Sequence, residues 1–409
     1  MSLNTNINTE YFQHIPQNVA ISFQTDIGND PDDALALFLL MQAMQKKELP
    51  NRSLKEIITT LYNPEQKAEI AAKICNFSNN FEIPIFPGYG STPHIPEDFT
   101  KAYPFWPSLW GTPGFNNAVS LGQGKGFDQL PFNIEQINLE KDATTAMEET
   151  AALYGETEVM LGLAPYTDMA KIIDNCDKIN RIVIMGGYFG REIEGIIEVS
   201  RAGYNTAIDP DASEKILTQV KHPVLIFNSQ HITNWKFSWM QDEILAILFS
   251  NEKNELGEAI AKDLAHYWST KKPNPYGSLV MADVLTVYVG ILHSELIKST
   301  MPVEFHFNNK TYYNPEKGVE EPIHMMHSQA KTLFSVCRKN ASNVHIVTEF
   351  TIDPEILRTQ VVEEIAVSLF FYDKESFRNA VEKQRQNALS NEEIELQIIQ
   401  LYSKDISRL

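Results

Sequence analysis

Residues 19–47 read VAISFQTDIGNDPDDALALFLLMQAMQKK, and the two ends of this stretch differ in kind. Val19 to Thr25 is a short apolar run ending in polar residues, the pattern of a buried strand. Pro31, Asp32 and Asp33 then open a longer apolar stretch that closes on Lys46 and Lys47. Proline in the first turn, acids at the start and bases at the end are the signals of a helix. A strand that turns directly into a helix is the opening of a βαβ unit.

The same rhythm continues outward. A strand at Ile57–Leu61, a helix at Pro64–Phe77 and a strand at Ile83–Phe86, closed by Pro87 and Gly88, complete a β-α-β-α-β series. It resumes with a helix at Ala143–Tyr154, a strand at Glu158–Gly162, a helix from about Tyr166 to Asn175, and strands at Arg181–Met185 and Val224–Phe227. Ala282–Leu292 reads as a buried helix, Val344–Phe350 as a strand, and an acidic helix runs from there toward Phe371. Two stretches break the pattern. Residues 91–140 are rich in Pro, Gly and aromatics (Tyr103, Phe105, Trp106, Trp110, Phe115) and read as a lid or a partner surface. Phe307 to Ser328 is polar and turn-rich and reads as an insertion. The expectation is an α/β protein: a single large doubly wound domain over 18–372, its central sheet mainly parallel and flanked by helices, with loop insertions. Residues 373–409 are expected to form a C-terminal helical extension packed on that domain.

Composition limits the partners. A chain of 409 residues that is 43% hydrophobic has ample core-forming material. Its 34 Lys and Arg against 53 Asp and Glu give a net charge of -19. With no cationic surplus to release counterions, nucleic-acid polymers and anionic membranes are excluded as general partners, while a neutral small molecule is not. The three cysteines, Cys75, Cys176 and Cys337, have neither zinc-site spacing nor the count of a disulfide framework, which fits a reducing compartment. Met1 to Gln17 has no apolar core of a signal peptide, and runs such as Leu35–Met44 are too short to span a bilayer. A soluble, cytoplasmic protein is expected.

The aspartates Asp26, Asp30, Asp32 and Asp33 crowd the turn after the first strand, where an open α/β sheet binds its ligands. One or two would suffice to cap a helix, so the plain alternative is an over-capped, solvated helix start. So many like charges are costly together unless a cation neutralises them, and all-oxygen ligation selects calcium or magnesium. An EF-hand fails, because counting from Asp26 puts Pro31 where glycine is needed and Leu37 where glutamate is needed. A phosphatase with two aspartates one residue apart is weak, because Gln24 stands two before Asp26.

Further segments follow in order: Thr59-Thr60-Leu61-Tyr62-Asn63, Ala164-Pro165-Tyr166-Thr167-Asp168, Ile184-Met185-Gly186-Gly187, Tyr204-Asn205-Thr206-Ala207-Ile208-Asp209-Pro210-Asp211-Ala212 and Ala282-Asp283. With the stretch from Asp26 to Leu37, this series resembles the inosine-uridine-preferring nucleoside hydrolase family. That family has an aspartate-rich strand end, a second strand ending in asparagine, a Gly-Pro-Leu-Thr-Asn segment, a Met-Gly-Gly strand end, a Phe-Asn-…-Asp-Pro-Glu-Ala stretch and a late His-Asp pair.

The resemblance implies calcium-dependent hydrolysis of a ribonucleoside to ribose and free base. Asp26, Asp33, the backbone carbonyl of Thr167 and Asp283 would hold Ca2+. Asp32 and Asn205, with Asn63 nearby, would bind ribose hydroxyls, and Asp26 would act as general base. It also implies a homo-oligomer, a dimer or tetramer. Plainer roles compete: Asn63 before Pro64 as a helix cap, Asn205 as a loop residue bonded to its own backbone, Gly186-Gly187 as a close backbone passage, and Asp283 as a lone cap.

The likeness has gaps. Ala282 stands where many relatives have histidine, Gly203 where a ribose-binding glutamate is common (Glu198 is near but not aligned), and Gln24 where an aspartate often precedes the first ligand. The acid for the leaving group stays open among His231, His266 and Tyr204, with base stacking by Trp106, Trp110 or Trp235 as another route. A hydrolase of another ribosyl compound and a non-catalytic calcium- and ribosyl-binding relative are the alternatives to nucleoside hydrolysis.

Overall fold

In the computed structural model the run Ala20–Thr25 forms β1, buried along its whole length inside the main sheet. The structure describes residues 7–16, 18–28, 31–49, 53–61, 63–90, 125–176, 178–186, 192–193, 196–198, 205–206, 209–227, 237–270, 279–307, 311–314, 319–322, 334–338, 342–387, 393–394 and 396–397. Its further strands are β2 Leu54–Thr59, β3 Ile85–Pro87, β4 Glu158–Gly162, β5 Arg181–Met185, β6 Glu192–Ile193, β7 Ile196–Glu198 and β8 Val224–Phe227. Then come β9 Ser238–Trp239, β10 Leu279–Val280, β11 Ile297–Phe307, β12 Thr311–Asn314, β13 Val319–Pro322, β14 Phe334–Arg338 and β15 Val344–Phe350.

The main sheet runs β3-β2-β1-β4-β5-β8-β15-β11-β14-β7-β6. Pairing is parallel from β3 through β15 and antiparallel from β11 to the far edge. The chain winds outward one way through β2 and β3 and the other way through β4, β5 and β8. The order therefore reverses between β1 and β4. In open α/β sheets that switch point, at the carboxyl ends of the strands, is where ligands bind.

Residues alternate between two cores along the strands. Ile21, Phe23, Ile57, Leu161 and Val183 join one, with the helix Pro31–Gln45. Ile58, Met160, Ile182 and Ile184 join the other, with helices Ala143–Tyr154 and Thr167–Ile172. Pro31–Gln45 is buried around most of its circumference, as expected of a helix that is apolar on every side. It packs against the helix Ala282–Val287, which brings a late segment to the first loop.

The structure revises several boundaries. The second strand is Leu54–Thr59 and the helix after β4 covers only Thr167–Ile172. The Ala282–Leu292 segment divides into an α-helix, Ala282–Val287, and a π-helical turn, Tyr288–Leu292. Part of the stretch read as an insertion is a hairpin of β12 and β13. The long strand β11 and its neighbour β14 extend the sheet where the sequence suggested no strands. The helix Lys374–Asn387 packs on helices Gln241–Leu248 and Pro354–Leu369, adding Phe377 and Val381 to the first core. Among the described residues no helix is long and apolar enough to cross a membrane.

Candidate active site

The aspartate loop is held from below by backbone geometry and two polar anchors. Gly28 has φ 92, which an L side chain rarely adopts, so glycine lets the chain reverse after Asp26 and Ile27. The Thr25 hydroxyl donates to Asp33 Oδ1 and accepts the Ile27 N–H at 3.2 Å, fixing the strand end to the helix start. Lys67, with no exposed surface, extends its ammonium to the carbonyl of Asp26 at 2.8 Å. Asp26 itself is buried at the end of β1.

Asp32, Asp33 and Asp283 form the acidic centre. One carboxylate oxygen from each lies within 4.8 Å of the others, and all three residues are buried. The Asp283 N–H points to Asp32 Oδ2 at 3.4 Å. Asp32 Oδ1, Asp33 Oδ2 and Asp283 Oδ1 accept no hydrogen bond among the described residues. Three negative groups this close, made only of hard oxygen donors, suit a divalent cation such as calcium or magnesium. Two of the expected ion ligands, Asp33 and Asp283, are thus brought together, and Asp32 joins them. Asp26 lies outside that mutually close set.

The remaining residues gather at the strand ends. Asn63 precedes the helix Pro64–Phe77 in a left-handed conformation, φ 51 and ψ 54, and its side chain makes no capping bond. Leu61 is also left-handed, φ 62, so the backbone is strained on both sides of this turn. Asn205 donates through Nδ2 to the Leu163 carbonyl at 2.6 Å, a contact to another element rather than to its own loop. The Thr167 hydroxyl donates to Asp209 Oδ2 at 2.7 Å, and Asp209 Oδ1 accepts the Ala212 N–H at 3.1 Å. Gly186 is a close passage: a Cβ there would sit 2.0 Å from the Tyr166 hydroxyl, which donates to the Met185 carbonyl at 2.9 Å.

Beside Thr167 lies a second, fully buried carboxyl group, Asp168. Its Oδ1 accepts the Tyr89 N–H at 3.1 Å, and Gln24 Nε2 lies 3.5 Å from its Oδ2. Burial pushes this carboxyl up to about 6, against the pull of hydrogen bonds from Thr60 and the Tyr89 N–H.

No local spacing in the sequence marks Lys67 or Asp168 as site residues, and Gln24 stands out only as a departure from the resembling pattern. Lys67 has one legible signal, a lysine on the apolar face of its helix beside Ala68 and Ala71. Asp30, Gly187, Gly203, Tyr204, His231, Trp106, Trp110, Trp235 and the side chain of His266 lie outside the described residues, as does the aromatic segment 103–115.

A sequence model of the inosine-uridine preferring nucleoside hydrolases matches residues 21–355. The plant nucleoside hydrolase PpNRh1 has a similar structure, with TM-score 0.55 and 17% identity over 85% of this chain and 99% of that one. The purine-preferring ribonucleoside hydrolase of Gardnerella vaginalis also superposes with TM-score 0.55 and 17% identity, over 85% and 99% of the two chains. The type III effector protein XopQ, complexed with adenosine diphosphate ribose, is similar with TM-score 0.55 and 17% identity over 88% of this chain and 96% of its own. At these identities the likeness is one of fold. No curated protein sequence matches the chain.

Proposed function

The chain belongs to the inosine-uridine preferring nucleoside hydrolase family, and from that premise we propose that it hydrolyses a ribonucleoside to ribose and free base, with calcium in the aspartate centre. The observation that carries the reading is the convergence of the neighbouring Asp32 and Asp33 with Asp283, 251 residues beyond Asp32, near the carboxyl end of β1.

Asp33, Asp283 and the first-loop acids Asp26 and Asp32 would hold the ion, with the Thr167 carbonyl completing the set. When bound, calcium supplies a hard Lewis acid that orients oxygen ligands and lowers the pKa of a water. The chain's own residues do the rest. Asp26 takes a proton from the water as its oxygen bonds to the anomeric carbon. The carbon–nitrogen bond breaks, its electron pair leaves with the base, and the base gains a proton. The surrounding carboxylates stabilise the positive charge that develops on the sugar. Asp32, the Oδ1 of Asn205 and Asn63 hold ribose hydroxyls, and the bonds to Leu163 and Asp209 keep that half of the pocket in place. Family resemblance also supports a cytoplasmic dimer or tetramer, which light scattering measures.

A second reading keeps the chemistry and changes the leaving group to that of a ribosylated cofactor. It is favoured by Ala282 in place of the usual histidine and by the likeness to an effector complexed with adenosine diphosphate ribose. Incubating calcium-loaded protein with purine and pyrimidine nucleosides and with nicotinamide adenine dinucleotide, a cofactor whose ribose carries an N-linked leaving group, and separating the products, distinguishes the two. Release of free base from a nucleoside supports the first reading. Release of nicotinamide from the dinucleotide alone transfers the conclusion to the second, and no turnover of either removes both.

A further inference from the structure

We propose that Asp168 and Gln24 are a positioning pair that fixes the ion-binding side of the pocket to the neighbouring strand ends. The inference rests on the calcium reading above and concerns residues that reading does not use.

The contacts form a junction. Asp168 follows Thr167, the residue whose carbonyl is assigned to the ion, at the start of the helix Thr167–Ile172. From there its carboxyl group reaches back to three other strand ends. Oδ1 accepts the N–H of Tyr89 just past β3 at 3.1 Å. The Thr60 hydroxyl, just past β2, lies within hydrogen-bond reach of the same carboxyl group and of the Tyr89 carbonyl at 3.2 Å, and its one proton serves one of the two. Gln24, on β1 two residues before Asp26, lies with Nε2 3.5 Å from Oδ2 and donates to the Pro165 carbonyl at 2.7 Å. Thr60 and Gln24 thereby connect Asp168 to the segments that carry Asn63 and Asp26.

The slot is built to the size of this carboxyl group. A Cβ at Gly88 would sit 2.6 Å from Asp168 Oδ1, so only glycine leaves room for it. Asp168 and Gln24 are both buried, at 0% and 1% exposure; Gln24 Nε2 has acceptors within the protein, while its Oε1 accepts no hydrogen bond among the described residues.

The pair also accounts for two departures in the sequence. Gln24 stands where the resembling pattern has an aspartate, and Asp168 where it has an asparagine. In space the two meet, so the acid and the amide have changed places across one contact. One acid facing one amide gives the contact a donor and an acceptor from either side. Two acids in a buried contact do not, because like charges repel and neither can donate without taking up a proton.

The test is a double-mutant cycle read by calorimetric calcium titration and by melting temperature: wild type, Gln24→Asp, Asp168→Asn and the double exchange. Gln24→Asp alone is expected to weaken calcium binding about tenfold or more, and adding Asp168→Asn to restore it to within about threefold of wild type, a coupling typical of residues in contact. A purely structural contact would change the melting temperature of the variants and leave calcium affinity alone. Should Gln24→Asp not fold, a double exchange that folds and binds calcium supports the pair, and one that does not fold overturns it. Wild-type binding of calcium with Gln24→Asp harmless, or not rescued by the second change, overturns this inference alone. A wild type that binds no calcium overturns it together with the functional reading.

Discussion

The ammonium group of Lys67 donates to the backbone carbonyl of Asp26 at 2.8 Å from a position with no exposed surface. A buried cation is costly to desolvate, and here it is aimed at the loop that carries the acidic centre. Lys67→Met keeps most of the volume and removes the donor, leaving a buried carbonyl without this bond. A loss of about 1–3 kcal/mol is expected, because hydrogen bonds from charged donors have that worth. Chemical denaturation measures the loss, and N-ribosyl turnover should fall with it, because the loop that aims Asp26 loosens.

Asp283→Asn should act in opposite directions with and without the ion. In chelator, removing one of three crowded negative charges relieves repulsion, and the melting temperature is expected to rise. With calcium, a ligand is weakened, and affinity should fall by at least about tenfold to a hundredfold, the range for residues that only support a ligand. Thermal scans in the two conditions check both signs.

Gly88→Ala tests the fit around Asp168 from the other side. The added methyl would meet Oδ1 of the fully buried Asp168 at 2.6 Å, so the carboxyl group or the backbone must shift. Overpacking of this kind costs about 1–3 kcal/mol. A stability loss with weakened calcium binding is expected, measured by melting temperature and titration.

A pH dependence arises at the opposite end of the strands. Glu158 is fully buried, accepts no hydrogen bond at either oxygen among the described residues, and is pushed up to about 8 by burial and by the charge of Glu56. Burial likewise raises Glu56 to about 7, opposed by its bond from the Ser22 hydroxyl. Both folded-state values exceed the ordinary 4.5, so the folded protein holds protons that the unfolded chain has released. Stability from these groups is full below the ordinary value and is lost as pH rises through about 7 and about 8. Wild-type melting temperature should therefore fall as pH rises from about 4.5 to about 8 and level off above it, and Glu158→Gln should flatten that fall.

The parallel half of the sheet was legible because its strands are buried on both faces and read as apolar runs between turn signals, as in Glu158–Gly162 and Val224–Phe227. β11 was not, because Ile297–Phe307 carries Lys298, Ser299, Thr300 and Pro302 and is half-buried along much of its length. The acidic loop was visible as a local cluster, and Asp283 only through a resemblance in order. That Asp283 meets Asp32 and Asp33 depends on the packing of two helices, a tertiary fact. Asp168 was hidden for the same reason: its partners come from three separate strand ends, and no local spacing announces them.

In the proposed reaction, water cleaves an N-ribosyl bond at the aspartate centre, and turnover in heavy-oxygen water, with ribose analysed by mass spectrometry, reports that cleavage. Calcium-loaded wild type is expected to yield labelled ribose and unlabelled base, and Asp26→Ala to yield neither. Intact nucleoside from calcium-loaded wild type, or ribose without the label, would contradict it.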